Sequence, residues 1–400
     1  MTLPRFLWLT WIDPYPEHDG QRLYSGRLIE SVAEAGAKID VLCFNSEKPL
    51  DRRLERSDKV TWWTMPRRMR PKWASPFSSL PNVAYRCETD EMKSTLRHML
   101  ANGYWDKIVF DGLSAGWALS ILEPLRKIYG GRPEIIYVAH NHEESTRAAM
   151  FRDFDGANPL MHLALYHDFR KAGRLERRLV AASDLVTAIT PEDAELFHRA
   201  APDKRLAVLP PGYSGQRVEH RTITEDLPRL AVIVGSFDWI AKQMNLEAFL
   251  ACADARFAEA GIRLRVVGRG PPGYLEGLSQ HTQVTEFLSD VPRVEPHMAD
   301  ARIAIVPERT GGGFKLKILD YVFNRLPVLA MEGSTSGTPL KTPSSMLAYG
   351  TMESLVNGVI RAIDDLPLLN SLQNSAYASC ANRFDWNRRG EKFLTHARPT

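Results

Sequence analysis

Three consecutive glycines followed by alternating lysines, in Glu308-Arg-Thr-Gly-Gly-Gly-Phe-Lys-Leu-Lys-Ile-Leu-Asp320, form the segment of this 400-residue chain whose side chains most directly imply chemistry. It follows the apolar run ARIAIVP (301–307), which has the length and composition of a buried strand. Consecutive glycines let a backbone approach a ligand closely, and the N–H groups of a helix start can hold a phosphate. Two lysines in a first helical turn oppose the macrodipole by about 0.3–1 kcal/mol each. An anion at this corner would reverse that sign. Lys315 and Lys317 have the charge to neutralise a diphosphate. Asp320, one turn beyond Lys317 on the same flank, suits a ribose diol, which donates two hydrogen bonds to one carboxylate. A flexible loop before a helix with solvated lysines would read the same way in isolation. Repetition argues against it, because GSFDWIAKQMN (235–245), VVGRGPP (266–272) and VTEFLSDV (284–291) also leave apolar runs through glycine or small polar turns.

The other candidates lie in the first half. His140 and His142 flank Asn141 at the end of the run EIIYVAH; zinc would need more ligands than stand nearby. A hydrogen-bonded strand-end histidine and a catalytic one both fit this position. Glu143 and Glu144 have the chemistry of a base for an acceptor hydroxyl, and a helix N-terminus explains them equally well. The Asp-Phe-Asp of Arg152–Gly156 has the form of a metal–nucleotide motif, but it sits in AAMFRDFDGANP rather than after a strand, and no metal site is expected from it. Neither GxSxG nor GxxxxGK[ST] occurs, which weakens hydrolase and P-loop readings. VVGRGPPGYLEG breaks the helix of a dinucleotide fingerprint with prolines, against an NAD-type dehydrogenase.

The elements that must position these residues are short apolar runs alternating with amphipathic stretches. RFLWLTWI (5–12), KIDVLCF (38–44), DKIVFDG (106–112), EIIYVAH (134–140) and DLVTAIT (184–190) read as buried strands, with helical patterns such as 24–36 and 163–183 between them. This alternation predicts a parallel sheet covered on both faces. After the Pro/Gly hinge AVLPPGYSG (207–215) a second series begins: RLAVIVGS, RLRVVGRG, QVTEFLS, ARIAIVP and LPVLAM. Two doubly wound halves are expected, with ligands at the carboxyl ends of their strands. The length agrees with two domains. A net charge of +3 gives no case for nucleic acid. Four scattered cysteines without CxxC indicate reduced thiols, and the apolar N-terminal piece Phe6–Ile12 is of strand length, so a cytoplasmic protein is expected. Residues 52–73 hold eight Arg/Lys and three Trp, a composition suited to an anionic membrane or a polyanionic acceptor.

From the hinge onward the sequence resembles the donor domain of GT-B glycosyltransferases, in particular the triple-glycine branch of the family 4 group. The resemblance is carried by GSFDW (235–239), VGRGPP (267–272), VTEFLSDV (284–291), PERTGGGFKLKILD (307–320) and LPVLA (326–330), in that order. In the first half, DPYPEHDGQRLYSGRLIESVAEAG (13–36) is similar to the family's opening turn, with a single Gly20 where two glycines are usual. VAHNHEESTR (138–147) is similar to its His-Asn turn, and FDWNRRGEKFL (384–394) to its closing helix. The implied fold is α/β, with two Rossmann-like domains facing a central cleft: an acceptor-binding domain over 1–210, a donor-binding domain over 211–380, and a C-terminal helix over 381–400 that crosses back to the first domain.

The implied activity is sugar transfer from a UDP- or GDP-sugar to a glycan, lipid-linked or polysaccharide acceptor, with retention, in cell-surface polymer or glycoconjugate synthesis, and with no metal or other cofactor. The resemblance implies that His140 is catalytic and faces the donor sugar. On the donor it implies Gly235, Ser236, Lys242, Gly268, Glu308, Gly311, Gly312, Gly313, Phe314, Lys315, Lys317 and Asp320; on the acceptor side Gly20, Arg22, Asn141 and Glu143. Two positions depart from the family: Asp320 stands where Glu is usual, and Gly312 where many members carry a glutamate close to the sugar, which leaves a catalytic carboxylate unassigned. An inverting transferase, a nucleotide-sugar epimerase and a non-catalytic nucleotide-sugar-binding protein fit the same fold. Residues 52–73 add an expected peripheral contact at the inner face of the plasma membrane.

Overall fold

The computed structural model describes residues 3–17, 19–46, 58–153, 159–308 and 313–398, and the elements below are counted among them. Strands buried on both faces need apolar side chains at almost every position. The first sheet is built from such runs: β1 (Arg5–Ile12), β2 (Lys38–Phe44), β3 (Val60–Met65), β4 (Lys107–Asp111), β5 (Glu134–Ala139), β6 (Leu185–Ala188) and β7 (Leu206–Val208). All pairs are parallel, in the order β3-β2-β1-β4-β5-β6-β7. Its helices are α1 (Gly20–Glu34), α2 (Asn82–Cys87), α3 (Asp90–Asn102), α4 (Leu119–Ile128), α5 (Glu143–Asp153), α6 (Pro159–Ala182) and α7 (Pro191–Ala200). Alternation along β1 sends Leu7 and Leu9 into the core shared with Phe110, Tyr137 and Leu179. Phe6 and Trp8 point to the other face, where the ring of Phe393 lies 6.0 and 5.6 Å away. Part of the basic, Trp-rich segment is thus the edge strand β3.

The second sheet contains β8 (Leu230–Ser236), β9 (Arg263–Arg269), β10 (Thr285–Ser289), β11 (Ile303–Val306), β12 (Val328–Met331) and β13 (Leu347–Tyr349), parallel in the order β10-β9-β8-β11-β12-β13. Helices α8 (Ile240–Glu259), α9 (Tyr274–Ser279), α10 (Lys317–Phe323), α11 (Met352–Ala362) and α12 (Leu366–Cys380) cover it. Two sequence expectations shift here. Helix α8 begins at Ile240, five residues before Asn245, because the chain turns at Trp239 directly after the strand end. Helix α10 begins at Lys317, so only one of the two lysines lies in its first turn.

The chain divides into two compact units, residues 1–212 with 385–400, and residues 213–384. The last helix, α13 (Trp386–Ala397), belongs to the first unit, where it packs on α1. The contact depends on a missing side chain. A Cβ on Gly390 would lie 1.8 Å from the Ser31 carbonyl oxygen of α1. Around it, Lys392 donates to the Val208 carbonyl at 2.9 Å, and Arg205 donates to the His396 and Arg398 carbonyls at 2.6 and 2.9 Å. Gly390→Ala is therefore expected to destabilise the first unit by about 1–3 kcal/mol, the usual cost of overpacking. Urea denaturation measures this, and an unchanged midpoint would mean that the α1–α13 contact is not tight.

Candidate functional site

In a parallel α/β sheet the polar side chains accumulate where buried strands emerge at their carboxyl ends. In the first unit β4 ends in Asp111, which is 0% exposed. A carboxylate so deep requires donors, and it has two. Trp8 Nε1 donates to Oδ2 at 2.9 Å, and His140 Nε2, just past the end of neighbouring β5, lies 2.6 Å from Oδ1. An ionised carboxylate only accepts, so this contact assigns the His140 proton to Nε2 and leaves Nδ1 as the nitrogen available to another group. The imidazole is held on its edge by the Tyr24 ring at 5.4 Å, whose hydroxyl donates to the Leu209 carbonyl at 2.7 Å. Burial, aided by the Asp111 charge, raises the Tyr24 phenol far above its ordinary range, so Tyr24 stays neutral.

Gly112 has φ +79°, a left-handed backbone that favours glycine. A Cβ there would stand 3.2 Å from His140 Cδ2 and 3.5 Å from Gln21 Nε2. The β1–α1 turn therefore brings Gln21 towards the histidine. Its neighbours do other work: Gly20 is the exposed first residue of α1, and buried Arg22 is paired with the helix-capping Asp19 at 3.3 Å. Sequence reasoning missed both Asp111 and Gln21. The available signal for Asp111 was an acid followed by glycine at the end of a wholly apolar strand.

After His140 the chain turns into α5. Asn141 is half-buried beside it. The backbone N–H groups of Glu143 and Glu144 donate to the two oxygens of Glu176, each at 2.9 Å. Burial pushes the Glu176 carboxyl up to about 8 although those two donors oppose the shift. Glu143, expected on the acceptor side, has its carboxylate on Arg147 Nε at 2.9 Å, and Arg147 continues to Asp168 at 2.8 Å. Glu144 pairs with Arg177 at 2.5 Å. These acids tie α5 to α6.

In the second unit β9, β8 and β11 are neighbours, and their carboxyl ends carry Gly268, Gly235 with Ser236, and Glu308. Gly268 has a packing reason to be glycine: a Cβ would lie 1.7 Å from the Gly235 carbonyl oxygen of the paired strand. Ser236 donates to Asp238 at 2.8 Å, and Arg269 binds the same carboxylate at 3.1 Å. Lys242 lies in the first turn of α8, its backbone N–H bonded to the Trp239 carbonyl at 2.9 Å. Gly311 and Gly312 fall outside the described residues; Gly313 is buried with φ +74°, where a side chain would be strained. The Phe314 ring packs on Phe384 at 5.7 Å.

A carboxylate of the chain itself also stands at this corner. The Glu308 carboxylate, 9% exposed, is ion-paired with Lys317 Nζ. Burial works to raise the Glu308 carboxyl, but Lys317 and then Lys315 outweigh it and hold it below its ordinary value. Three residues past Lys317, Asp320 lacks such a partner. Burial, and secondarily the Glu295 charge, push its carboxyl up to about 7. Among the described residues no group of three or more His, Cys, Asp or Glu is arranged to hold a metal, and no helix is long and apolar enough to cross a membrane.

Two family models match the chain: "Glycosyl transferase 4-like domain" over residues 19–212 and "Glycosyl transferases group 1" over residues 228–365. No curated protein sequence matches it. Among solved structures it is similar to sucrose-phosphate synthase from Thermosynechococcus elongatus, at 17% identity over 98% of each chain and a TM-score of 0.70. It is also similar to Anabaena HepE in complex with UDP and glucose, at 15% identity over 98% of this chain and 99% of that one, with a TM-score of 0.63. WaaG, a glycosyltransferase involved in lipopolysaccharide biosynthesis, is similar at 15% identity over 97% and 98%, with a TM-score of 0.64. At these identities the likeness is one of fold. With one family model on each parallel-sheet unit, and neighbours of that fold along nearly its whole length, the chain belongs to the GT-B glycosyltransferases of the group 1 and 4-like kind.

Proposed function

We propose that the protein moves a sugar from a UDP- or GDP-sugar, bound by the second unit, to a hydroxyl of a glycan, lipid-linked or polysaccharide acceptor, with retention of anomeric configuration, in surface-polymer or glycoconjugate synthesis on the cytoplasmic side of a membrane. The observation that carries this reading is the grouping at the ends of β8, β9 and β11 and the start of α10: strand-end glycines, a pre-oriented ammonium and a desolvated carboxylate. HepE, solved with UDP and glucose, supports uracil as the base.

Each group has a place in that chemistry. An ammonium offers three hydrogen bonds, and the Glu308 contact uses one, so Lys317 is held in place with two N–H groups for phosphate oxygens. Lys315 and Lys242 add positive charge near the departing diphosphate, where negative charge grows as the bond to the sugar lengthens. The Asp320 carboxylate accepts the ribose hydroxyls. Glu308, already bonded to Lys317, is a counter-ion and positioning group. With glycine at position 312, the acceptor proton passes to the leaving phosphate oxygen as the new bond forms on the same face of the sugar. His140, its proton directed to Asp111, meets the donor sugar through Nδ1. A non-catalytic nucleotide-sugar-binding protein would share the donor site and would not require the His140–Asp111 contact.

Thermal shift with UDP, GDP and their sugars tests the reading first. A ligand at a hundred times its dissociation constant adds about 2.7 kcal/mol, and no shift with any of them would remove the donor site. Asp320→Asn separates ribose binding from stability. The folded protein keeps the Asp320 proton up to about pH 7, whereas an unfolded carboxyl releases it near 3.8, so stability falls as pH rises across that window and levels off above it. The variant should lose that slope and gain about 1–4 kcal/mol at pH ~8, while UDP binds about 10–100-fold more weakly. In the wild type UDP affinity should rise through pH ~7; a rise that persists in Asp320→Asn would belong to the phosphate instead. Asp111→Asn keeps the shape but cannot accept from both Trp8 and His140. Turnover should fall about 100-fold or more with UDP affinity unchanged, and ¹⁵N NMR should show the His140 proton moving from Nε2 to Nδ1. An unmoved proton would show that Asp111 does not set the tautomer.

A further inference from the structure

The first unit carries a second surface with a chemistry of its own. Between Lys59 and Cys87 the sequence contains six basic residues and no acid. Two of the three tryptophans of the basic segment are engaged within the unit: Trp62 stands edge-on to Tyr15 at 6.3 Å, and Trp63 Nε1 donates to Asp40 at 3.2 Å. The third, Trp73, is 76% exposed, and Phe77, four residues on, is 89% exposed. Both belong to the 3-10 helix Lys72–Phe77. That helix is tied down, because the buried ammonium of Lys171 on α6 donates to the Ser75 and Pro76 carbonyls at 2.9 and 3.1 Å.

Helix α6 extends the same surface. Leu160 is 76% exposed and Leu163 60%, and Arg170 and Arg174 follow as exposed residues further along the helix. Positions 163, 167, 170 and 174 are three or four apart and therefore share a face. The single acid between 159 and 175, Asp168, is occupied by Arg147 at 2.8 Å and the Asn82 backbone N–H at 2.5 Å. Large apolar side chains thus stand exposed on these two helical elements beside the exposed basic residues Lys72, Arg170 and Arg174, while Arg70 is paired with Glu88 at 2.6 Å.

We infer that this face, formed by the 3-10 helix and the first two-thirds of α6, docks on an anionic lipid surface. Trp73, Phe77, Leu160 and Leu163 enter the boundary between headgroups and acyl chains, and Lys72, Arg170 and Arg174 meet the lipid phosphates. A second copy of the chain is a poor occupant, because self-pairing would set like charges against each other. The inference rests on the lipid-linked or surface-polymer part of the proposed acceptor class. It also moves the expected membrane contact away from the β3 tryptophans and onto α6.

Flotation of the full chain with phosphatidylcholine vesicles, with and without phosphatidylglycerol, tests it. The protein should float with the anionic vesicles, remain behind with phosphatidylcholine alone, and be released by high salt. Trp73→Ser with Phe77→Ser should weaken flotation about tenfold or more, each of Arg170→Gln and Arg174→Gln about fivefold, and all should keep the wild-type thermal shift with UDP, showing that they remain folded. Absence of flotation by the wild type, or flotation undiminished in every variant, overturns the proposal. So does a dimer, seen by light scattering, that is lost in Trp73→Ser/Phe77→Ser while flotation is not. Flotation without any nucleotide response would leave this surface standing and remove the transferase reading.

Discussion

A carboxylate taken out of water must be supplied with donors or give up its charge, and the polar architecture of both units follows from how three buried acids, and the half-buried Asp320, meet that demand. Asp111 has an indole and an imidazole, Glu176 has two backbone N–H groups, and Glu308 has an ammonium. Asp320, half-buried, has its carboxyl pushed up by burial and by the Glu295 charge. Each solution also fixes something else. Asp111 orients His140, Glu176 holds the start of the helix that follows it, and Glu308 holds Lys317.

Glu308 and Lys317 show how such an arrangement can serve an anionic ligand. A lone lysine on an exposed corner loses side-chain entropy when it binds phosphate. A lysine already held by a buried carboxylate has lost that freedom on folding, and it keeps two donors for a ligand. The pair by itself carries no net charge, and Lys315 lies near enough to add its own positive charge at Glu308. An ion pair taken out of water seldom adds much stability over apolar packing, and its value here lies in geometry.

Much of this was legible in the sequence, for physical reasons that also explain the rest. Parallel strands buried on both faces read as unbroken apolar runs, and β1, β2, β4, β5, β8, β9 and β11 stand where those runs are. Glycine and small polar residues do stand at the carboxyl ends of β8, β9 and β10. Partnership was not legible. Asp111 and His140 are 29 residues apart and Glu143 and Glu176 are 33, and only the crossover topology brings them together. The Lys317 partner Glu308, nine residues before it, was also outside what the spacing showed. Gly268, read as a donor-side glycine, has in addition a packing reason in the close approach of β8.

The departure at position 320 acquires a physical meaning from the same rule. Aspartate is one methylene shorter than the glutamate usual in the family, so its carboxyl stays nearer the backbone of α10 and farther from water. The cost of that desolvation appears in a carboxyl pushed up to about 7. It is carried by the folded protein alone, since the unfolded chain solvates the group freely. A ligand that brought two hydroxyl donors to Asp320 would replace the missing water and restore the ionised form. Part of its binding energy would then be relief of a burden already present in the fold, and affinity and stability at this residue would oppose each other.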